Sequence, residues 1–183
     1  MRNLMILVFA MHCSGYLSAQ NYYNTAIQYK GDSIFPFDIP LLDIDSVKAS
    51  NSKTVMAIPK KEKNRKPTVI AFWLTTCIPC HIELSTYSAQ YTTWKKQANF
   101  DLYAISIDFP KNFRKIANIV REKQFPFPVY WDRDRLYSSV MPGELNGLPQ
   151  VFIFDKNGKL AYRHKGFRPG DEEVLFAKIL ELQ

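Results

Sequence analysis

A continuous apolar run from Val69 to Leu74 (VIAFWL) can be buried in only a few ways. Its large side chains show no alternation with polar residues, which is typical of a strand covered on both faces of a parallel sheet. An amphipathic helical pattern follows it, with apolar residues at steps of three and four positions. These residues are Leu84, Tyr87, Tyr91, Trp94 and Ala98. The order predicts an α/β fold in layers.

The same alternation continues along the chain. Asp101 to Asp108 (DLYAISID) reads as a second strand, and a second amphipathic helix follows, with Phe113, Ile116, Ala117 and Val120 on its apolar face. Strand, helix, strand and helix in this order are typical of βαβ units in a parallel sheet. A short strand at Val129 to Trp131 and a short helical stretch at Leu136 to Met141 come next.

The last part of the chain predicts an antiparallel addition to this sheet. The apolar run Val151 to Phe154 is separated from the strand Lys159 to His164 by Asp155-Lys156-Asn157-Gly158. An Asn-Gly pair favours a tight hairpin turn, so these two strands should be antiparallel. A terminal helix is predicted for Asp171 to Leu182, which begins with acidic residues.

Residues 1–19 have the pattern of a secretory signal peptide. Arg2 precedes the apolar run Leu4 to Met11, and small and polar residues lead to Ala19. The apolar run is too short for a membrane span, which needs about 20 apolar residues. Cleavage after Ala19 is the main prediction; cleavage after Gly15 and a retained or lipidated N-terminus at Cys13 are the alternatives.

The charge of the chain excludes little by itself. The formal net charge is +7, but Lys and Arg are spread over the chain and show one local concentration from Lys60 to Lys66. A basic face or a recognition motif would be needed for nucleic-acid binding, and the sequence has no helix-turn-helix, zinc-finger or RNP signature. We therefore expect a solvated basic surface, no nucleic-acid partner and no transmembrane segment in the mature chain.

Residues 20–66 are polar with scattered apolar positions, and prolines interrupt them. Ile39 to Ile44 and Thr54 to Ile58 are candidate edge strands. The predicted organisation is thus a signal peptide (1–19), an N-terminal β extension (20–66) and one α/β domain (67–183).

Cys77 and Cys80 lie where the first strand passes into the first helix. Removal of the signal peptide would leave them as the only cysteines. Backbone N–H groups and the helix dipole stabilise a thiolate at a helix start, so Cys77 is the predicted nucleophile. Cys80 lies one turn further in and is the predicted resolving thiol. Pro79 is tolerated in the first turn, where its missing N–H would have no partner.

Two other interpretations of the cysteine pair are weaker. A bridge that closes so short a loop removes little entropy from the unfolded chain, so a purely stabilising disulfide is disfavoured. A structural zinc site usually needs four ligands, and the sequence has no second cysteine pair and no paired histidines. No metal site is predicted.

The strand VIAFW, the CIPC junction, the following HIEL and the distant GLPQVFIFDKNGKL together resemble the TlpA/ResA-type extracytoplasmic members of the thioredoxin superfamily. The resemblance implies a thioredoxin-like fold, with a central mixed β-sheet flanked by helices and an N-terminal β extension. It also implies that Pro149 follows a cis peptide bond opposite the cysteines and that the backbone of Leu148 binds the substrate. Thr76, Ile78 and Pro79 would border the same substrate site, and Trp73 would support its loop.

The chain departs from the family pattern at two positions. Thr76 replaces a common Trp before the first cysteine, and Ala71 stands where classical thioredoxins have a buried acid. Glu83 is then the nearest candidate to accept the proton of Cys80, because residues three apart share a helix face. An exposed first-turn acid is the equal alternative for Glu83. His81 should project elsewhere, as a surface or helix-end residue; electrostatic tuning of the thiols is the alternative.

The function implied by the resemblance is dithiol–disulfide exchange with exported proteins, with Cys77 and Cys80 as the redox-active disulfide and no other cofactor. A reductant role in the periplasm or another extracytoplasmic space is favoured. A membrane electron donor would keep the cysteine pair reduced, and apocytochrome c or its maturation factors would be among the partners. A peroxiredoxin-like peroxidase is disfavoured because Leu74 occupies a position where Thr or Ser is expected. A binding or assembly module without turnover is the third possibility.

Overall fold

The structure is a computed structural model of the chain and describes residues 34–45 and 47–183. The predicted signal peptide (1–19) and the first part of the predicted extension lie outside these residues. The domain division proposed from the sequence therefore stays a prediction.

Within the described ranges, the strands form one mixed sheet in the order β2-β1-β5-β4-β3-β6-β7. They are β1 (Pro40–Asp43), β2 (Ala49–Asn51), β3 (Thr68–Trp73), β4 (Asp101–Ser106), β5 (Val129–Trp131), β6 (Gln150–Phe154) and β7 (Leu160–Lys165). Strands β3, β4 and β5 are parallel, whereas β6 is antiparallel to β3 and β7 is antiparallel to β6. The thioredoxin-like architecture expected from the sequence is confirmed.

Helices cover the sheet. They are α1 (Ser52–Val55), α2 (Ile78–Gln97), α3 (Phe113–Lys123), α4 (Tyr137–Val140) and α5 (Asp171–Glu181), with short 3₁₀ turns at Glu62–Asn64, Pro110–Asn112 and Pro142–Leu145. In the described part of the chain, no helix combines the length and the apolar character that a bilayer span requires.

Strand β3 is central and buried along its whole length, which explains its unbroken apolar sequence. Val69, Ala71 and Trp73 point into a core shared with α2, α3 and α5. Ile70 and Phe72 point into a second core on the opposite face, which is closed by α4 and by the segment before β1. Alternate residues of a strand face opposite sides, so both sides of this strand demand apolar residues.

The segment before β3 extends the sheet by an antiparallel hairpin. Strand β1 pairs with β2 on one side and with β5 on the other. Phe35 stacks on Phe154 with ring centroids 4.5 Å apart. This segment therefore covers the β5 edge and closes the second core.

The predicted strand Thr54 to Ile58 is wrong, because Thr54 lies in helix α1. Asn51 caps this helix: its side-chain oxygen accepts a hydrogen bond from the amide of Lys53 at 2.8 Å. Ser52 is buried and its hydroxyl donates to the carbonyl of Phe37, so the short helix is fixed against the preceding segment. Local capping outweighs the weak alternation of apolar residues.

Candidate active site

Cys77 and Cys80 form a disulfide at the start of α2, with their Cα atoms 5.3 Å apart. Cys77 is the N-cap residue, and its sulfur accepts a hydrogen bond from the amide of Cys80 at 3.3 Å. Cys77 is half-buried, whereas Cys80 is completely buried. A substrate can therefore approach the first sulfur and has no direct access to the second.

The position of Cys77 has a direct electrostatic consequence. After reduction, its sulfur would face the unpaired N–H groups of the first helical turn and the positive end of the helix dipole. Both interactions favour the thiolate over the thiol. This location suits the predicted role of Cys77 as the nucleophile, which stays a prediction.

Glu83 is fully buried, one turn after Cys80. The hydroxyl of Tyr87 donates a hydrogen bond to its Oε1 at 3.0 Å, while Oε2 has no partner among the described residues. Burial raises the pKa of Glu83 to about 8, the hydrogen bond from Tyr87 lowers it in part, and the charge of Asp171 raises it further. The exposed first-turn interpretation of Glu83 does not fit this location.

This environment suits Glu83 to proton exchange with a thiol. A carboxyl group with a pKa of about 8 exchanges protons readily near neutral pH. The catalytic role of Glu83 stays a prediction.

A buried aspartate holds the loop before the cysteines. Asp108, two residues after the end of β4, accepts hydrogen bonds from the amide and the hydroxyl of Thr75, each at 2.8 Å. Its carboxylate also accepts from the hydroxyl of Ser106 and the side-chain amide of Asn112. The two bonds from Thr75 fix the loop to the segment that follows the neighbouring parallel strand, and the other two hold the carboxylate in place. Asp108 is absent from the residues predicted for the site, although an acidic residue at the carboxyl end of a buried strand was a usable signal.

Trp73 and His81 support the other side of this loop. Trp73 is completely buried, and its ring meets the His81 ring edge-on with centroids 5.8 Å apart. The Nε2 atom of His81 lies 3.1 Å from the carbonyl oxygen of Thr75. His81 is therefore half-buried against the loop and does not project away from it, contrary to the sequence-based expectation.

A cavity of about 510 Å³ opens beside the disulfide, and Pro79, Leu148 and Pro149 form one wall of it. The peptide bond between Leu148 and Pro149 is cis, as the resemblance implied. The rest of the lining comes from the end of β7 and the loop before α5, with His164, Lys165, Gly166, Phe167, Arg168 and Asp171. Three of the residues predicted for substrate binding are thus brought together.

Two further predicted residues lie on the outer side of the disulfide. Thr76 and Ile78 are exposed, and Ile78 leaves 74% of its surface accessible. Ile78 lines a shallow surface groove with His81 and Ile82 along α2. The groove and the cavity thus both lie near Cys77, since Ile78 lines the groove and Pro79 lines the cavity. No cluster of three or more metal-ligating side chains occurs in residues 34–45 and 47–183.

Comparison with known proteins finds one family model and several solved structures that are similar to this chain. The model of the AhpC/TSA family matches residues 42–163. No curated protein matches the chain. A solved thioredoxin-like protein from Porphyromonas gingivalis is 28% identical, with a TM-score of 0.64 over 85% of this chain and 93% of its own.

Two more distant solved structures share the fold. A protein assigned as the thiol:disulfide interchange protein DsbE of Chlorobium tepidum is 23% identical, with a TM-score of 0.63 over 85% of this chain and 99% of its own. StoA from Bacillus subtilis is 16% identical, with a TM-score of 0.58 over 79% of this chain and 99% of its own.

Proposed function

We propose that this chain, which belongs to the AhpC/TSA family, reduces disulfides of exported proteins through Cys77 and Cys80. Its class is that of a thioredoxin-like thiol–disulfide oxidoreductase. The observation that carries the proposal is the disulfide at the N-terminus of α2, with an accessible first sulfur and a buried second sulfur. A structural bridge would have no need of this asymmetry.

The reaction follows from the positions of the two sulfurs. In the reduced protein, the Cys77 thiolate attacks one sulfur of a substrate disulfide, and the other substrate sulfur leaves as a thiolate. A mixed disulfide then joins Cys77 to the substrate. Cys80 attacks the Cys77 sulfur, which releases the second substrate thiolate and forms the Cys77–Cys80 disulfide. Two electrons pass to the substrate in total.

Glu83 is proposed to handle the proton of Cys80. The Cys80 thiol must lose its proton before it can attack, and bulk water does not reach this buried group. The unpartnered Oε2 of Glu83 is the acceptor that the same helix provides. Ionised Glu83 takes the proton during substrate reduction and returns it when the disulfide is reduced again.

Pro149 and Leu148 are proposed to hold the substrate segment next to Cys77. They border the cavity beside the disulfide together with Pro79. Thr76 and Ile78, exposed on the other side of Cys77, would contact the substrate there. No cofactor besides the disulfide is required by this reaction.

The proposal of export rests on the N-terminal pattern of residues 1–19 and on the TlpA/ResA resemblance. The proposed direction of electron flow rests on that resemblance. We therefore propose an extracytoplasmic location, a membrane electron donor that reduces Cys77–Cys80, and apocytochrome c or its maturation factors as partners. N-terminal sequencing of the protein from an exported fraction should give Gln20. Alkylation of the protein in intact cells should find the two cysteines mainly as thiols; a permanent disulfide would indicate an oxidant.

The activity itself is tested by insulin reduction in dithiothreitol with the mature protein. Cys77→Ala should lose all activity, whereas Ser85→Ala, an exposed change on the same helix, should keep it. Cys80→Ala should accumulate a mixed disulfide at Cys77, and mass spectrometry of that adduct would identify the partner. Equal insulin reduction by the parent and Cys77→Ala would contradict the proposal and favour a binding module.

A peroxidase is the second candidate, because the same fold serves peroxiredoxins. Leu74 lies where such an enzyme is expected to have Thr or Ser, so we expect no hydroxyl at this position to assist peroxide cleavage. Consumption of hydrogen peroxide by the reduced protein, measured beside insulin reduction, separates the two activities. If peroxide turnover is faster than insulin reduction, the peroxidase becomes the first candidate function.

A further inference from the structure

The cavity beside the disulfide has one basic wall. Lys165 ends β7, and Arg168 lies in the loop before α5; both line the cavity that Pro79 also borders. Both side chains are exposed, and neither forms an ion pair with any residue in ranges 34–45 and 47–183. Their positive charges therefore face the space that a substrate segment would enter.

The Lys165 side chain lies close to the substrate-binding backbone. A Cβ atom added at Gly147 would fall 2.9 Å from the Lys165 ammonium and 2.8 Å from its Cε. Gly147 precedes Leu148 directly, and the amide of Gly166 donates to the carbonyl of Pro149 at 2.8 Å. The strand end that carries Lys165 is thus fixed to the cis-proline segment.

The acidic group in the cavity wall is already engaged. Asp171 accepts a hydrogen bond from the amide of Arg168 at 2.7 Å, and its Oδ2 lies 3.1 Å from Nε2 of His164. Both contacts are made by Oδ2, and the amide dipole of Arg168 partly offsets the field of the carboxylate in the cavity. The two cations outnumber the one carboxylate, so the wall as a whole attracts negative charge.

We infer that this wall selects substrate segments that carry Asp or Glu within a few residues of the reactive cysteine. The inference rests on the proposed function, because it names the substrate class of that same site. The substrate carboxylate would lie between Lys165 and Arg168 while its disulfide faces Cys77. The accessible ion pair would be weak by itself and sensitive to salt, which suits a substrate that must leave after each turnover.

Three synthetic peptides test the inference. They contain the same intramolecular disulfide and differ only in two flanking residues, which are Glu, Gln or Lys. The rate constant for their reduction by the reduced mature protein is measured at low and high salt. Each rate is divided by the rate with dithiothreitol alone, which removes the intrinsic effect of the flanking charge on the disulfide.

The parent protein should prefer the Glu peptide to the Lys peptide by about tenfold at low salt, and high salt should remove most of this preference. The double variant Lys165→Glu/Arg168→Glu should reverse the order. Lys115→Glu, which makes the same type of change on an exposed position of α3 away from the cavity, should keep the parent preference.

Each other outcome has a definite meaning. Equal rates for the three peptides, or a preference that the double variant leaves unchanged, would overturn the inference while the reduction of all peptides upholds the proposed function. If the parent protein reduces no peptide and no insulin, the proposed function fails and the inference fails with it. If Lys115→Glu loses the preference for the Glu peptide as the double variant does, the effect belongs to the net charge of the protein. This result would also overturn the inference.

Discussion

Replacement of Glu83 by Gln tests the buried carboxyl group through its effect on stability. The side chain is fully buried, and burial raises its pKa from 4.5 to about 8. Gln has nearly the same shape and keeps an oxygen for the hydrogen bond from Tyr87, but it does not titrate. The two proteins should therefore differ mainly in the pH dependence of their free energies of unfolding.

The sign follows from the two pKa values. Below pH 4.5, Glu83 is protonated in both the folded and the unfolded chain, and its contribution to stability is complete. As the pH rises towards 8, the unfolded chain releases the proton first, so the free energy of unfolding falls. At about 1.36 kcal/mol per pH unit, the total loss is roughly 5 kcal/mol, of which roughly 3 kcal/mol is reached by pH 7.

Urea unfolding of the oxidised proteins at fixed ionic strength, from pH 5 to pH 8.5, measures this loss. The free energy of Glu83→Gln minus that of the parent should increase by several kcal/mol over this range. Tyr87 and Asp171, the titratable groups that act on Glu83, are present in both proteins. Glu173→Gln removes an exposed carboxylate from α5 and should leave the parent pH dependence unchanged. Parallel curves for Glu83→Gln and the parent would refute the assignment of a buried, protonated carboxyl group.

Two further predictions concern the loop and a turn. Asp108→Ala removes the acceptor for two part-buried hydrogen bonds of Thr75 and for the buried hydroxyl of Ser106. It should lower the free energy of urea unfolding by about 3 kcal/mol and slow insulin reduction at temperatures where it is still folded; full activity would show that the loop needs no support. Gly158→Ala should lower the thermal midpoint far more than Gly166→Ala. Both glycines have positive φ angles, +82° and +88°, but only at Gly158 would a Cβ overlap a neighbour, the carbonyl oxygen of Phe35; equal midpoints would contradict that overlap.

Much of the fold could be predicted because it is encoded in short stretches. Each signal lies within a single strand, helix or turn. Examples are the apolar run of β3, the periodicity of α2 and the Asn157-Gly158 turn. The same holds for Cys77 at the N-cap of α2, since a strand end and a helix start identify that position. The wrong prediction of a strand from Thr54 to Ile58 also has a local cause. The side-chain cap at Asn51 outweighs a weak alternation of apolar and polar residues.

The sequence by itself determined the order of strands and helices and the location of the cysteine pair, because backbone periodicity and helix-start electrostatics depend on neighbouring residues. Only the tertiary structure decided the burial of Glu83, the contact of Asp108 with Thr75 and the location of Lys165 beside Gly147. Desolvation and charge pairing depend on residues that are distant in the chain and meet only when the sheet has formed. The chemical environment of the cysteines is therefore set by the assembled fold.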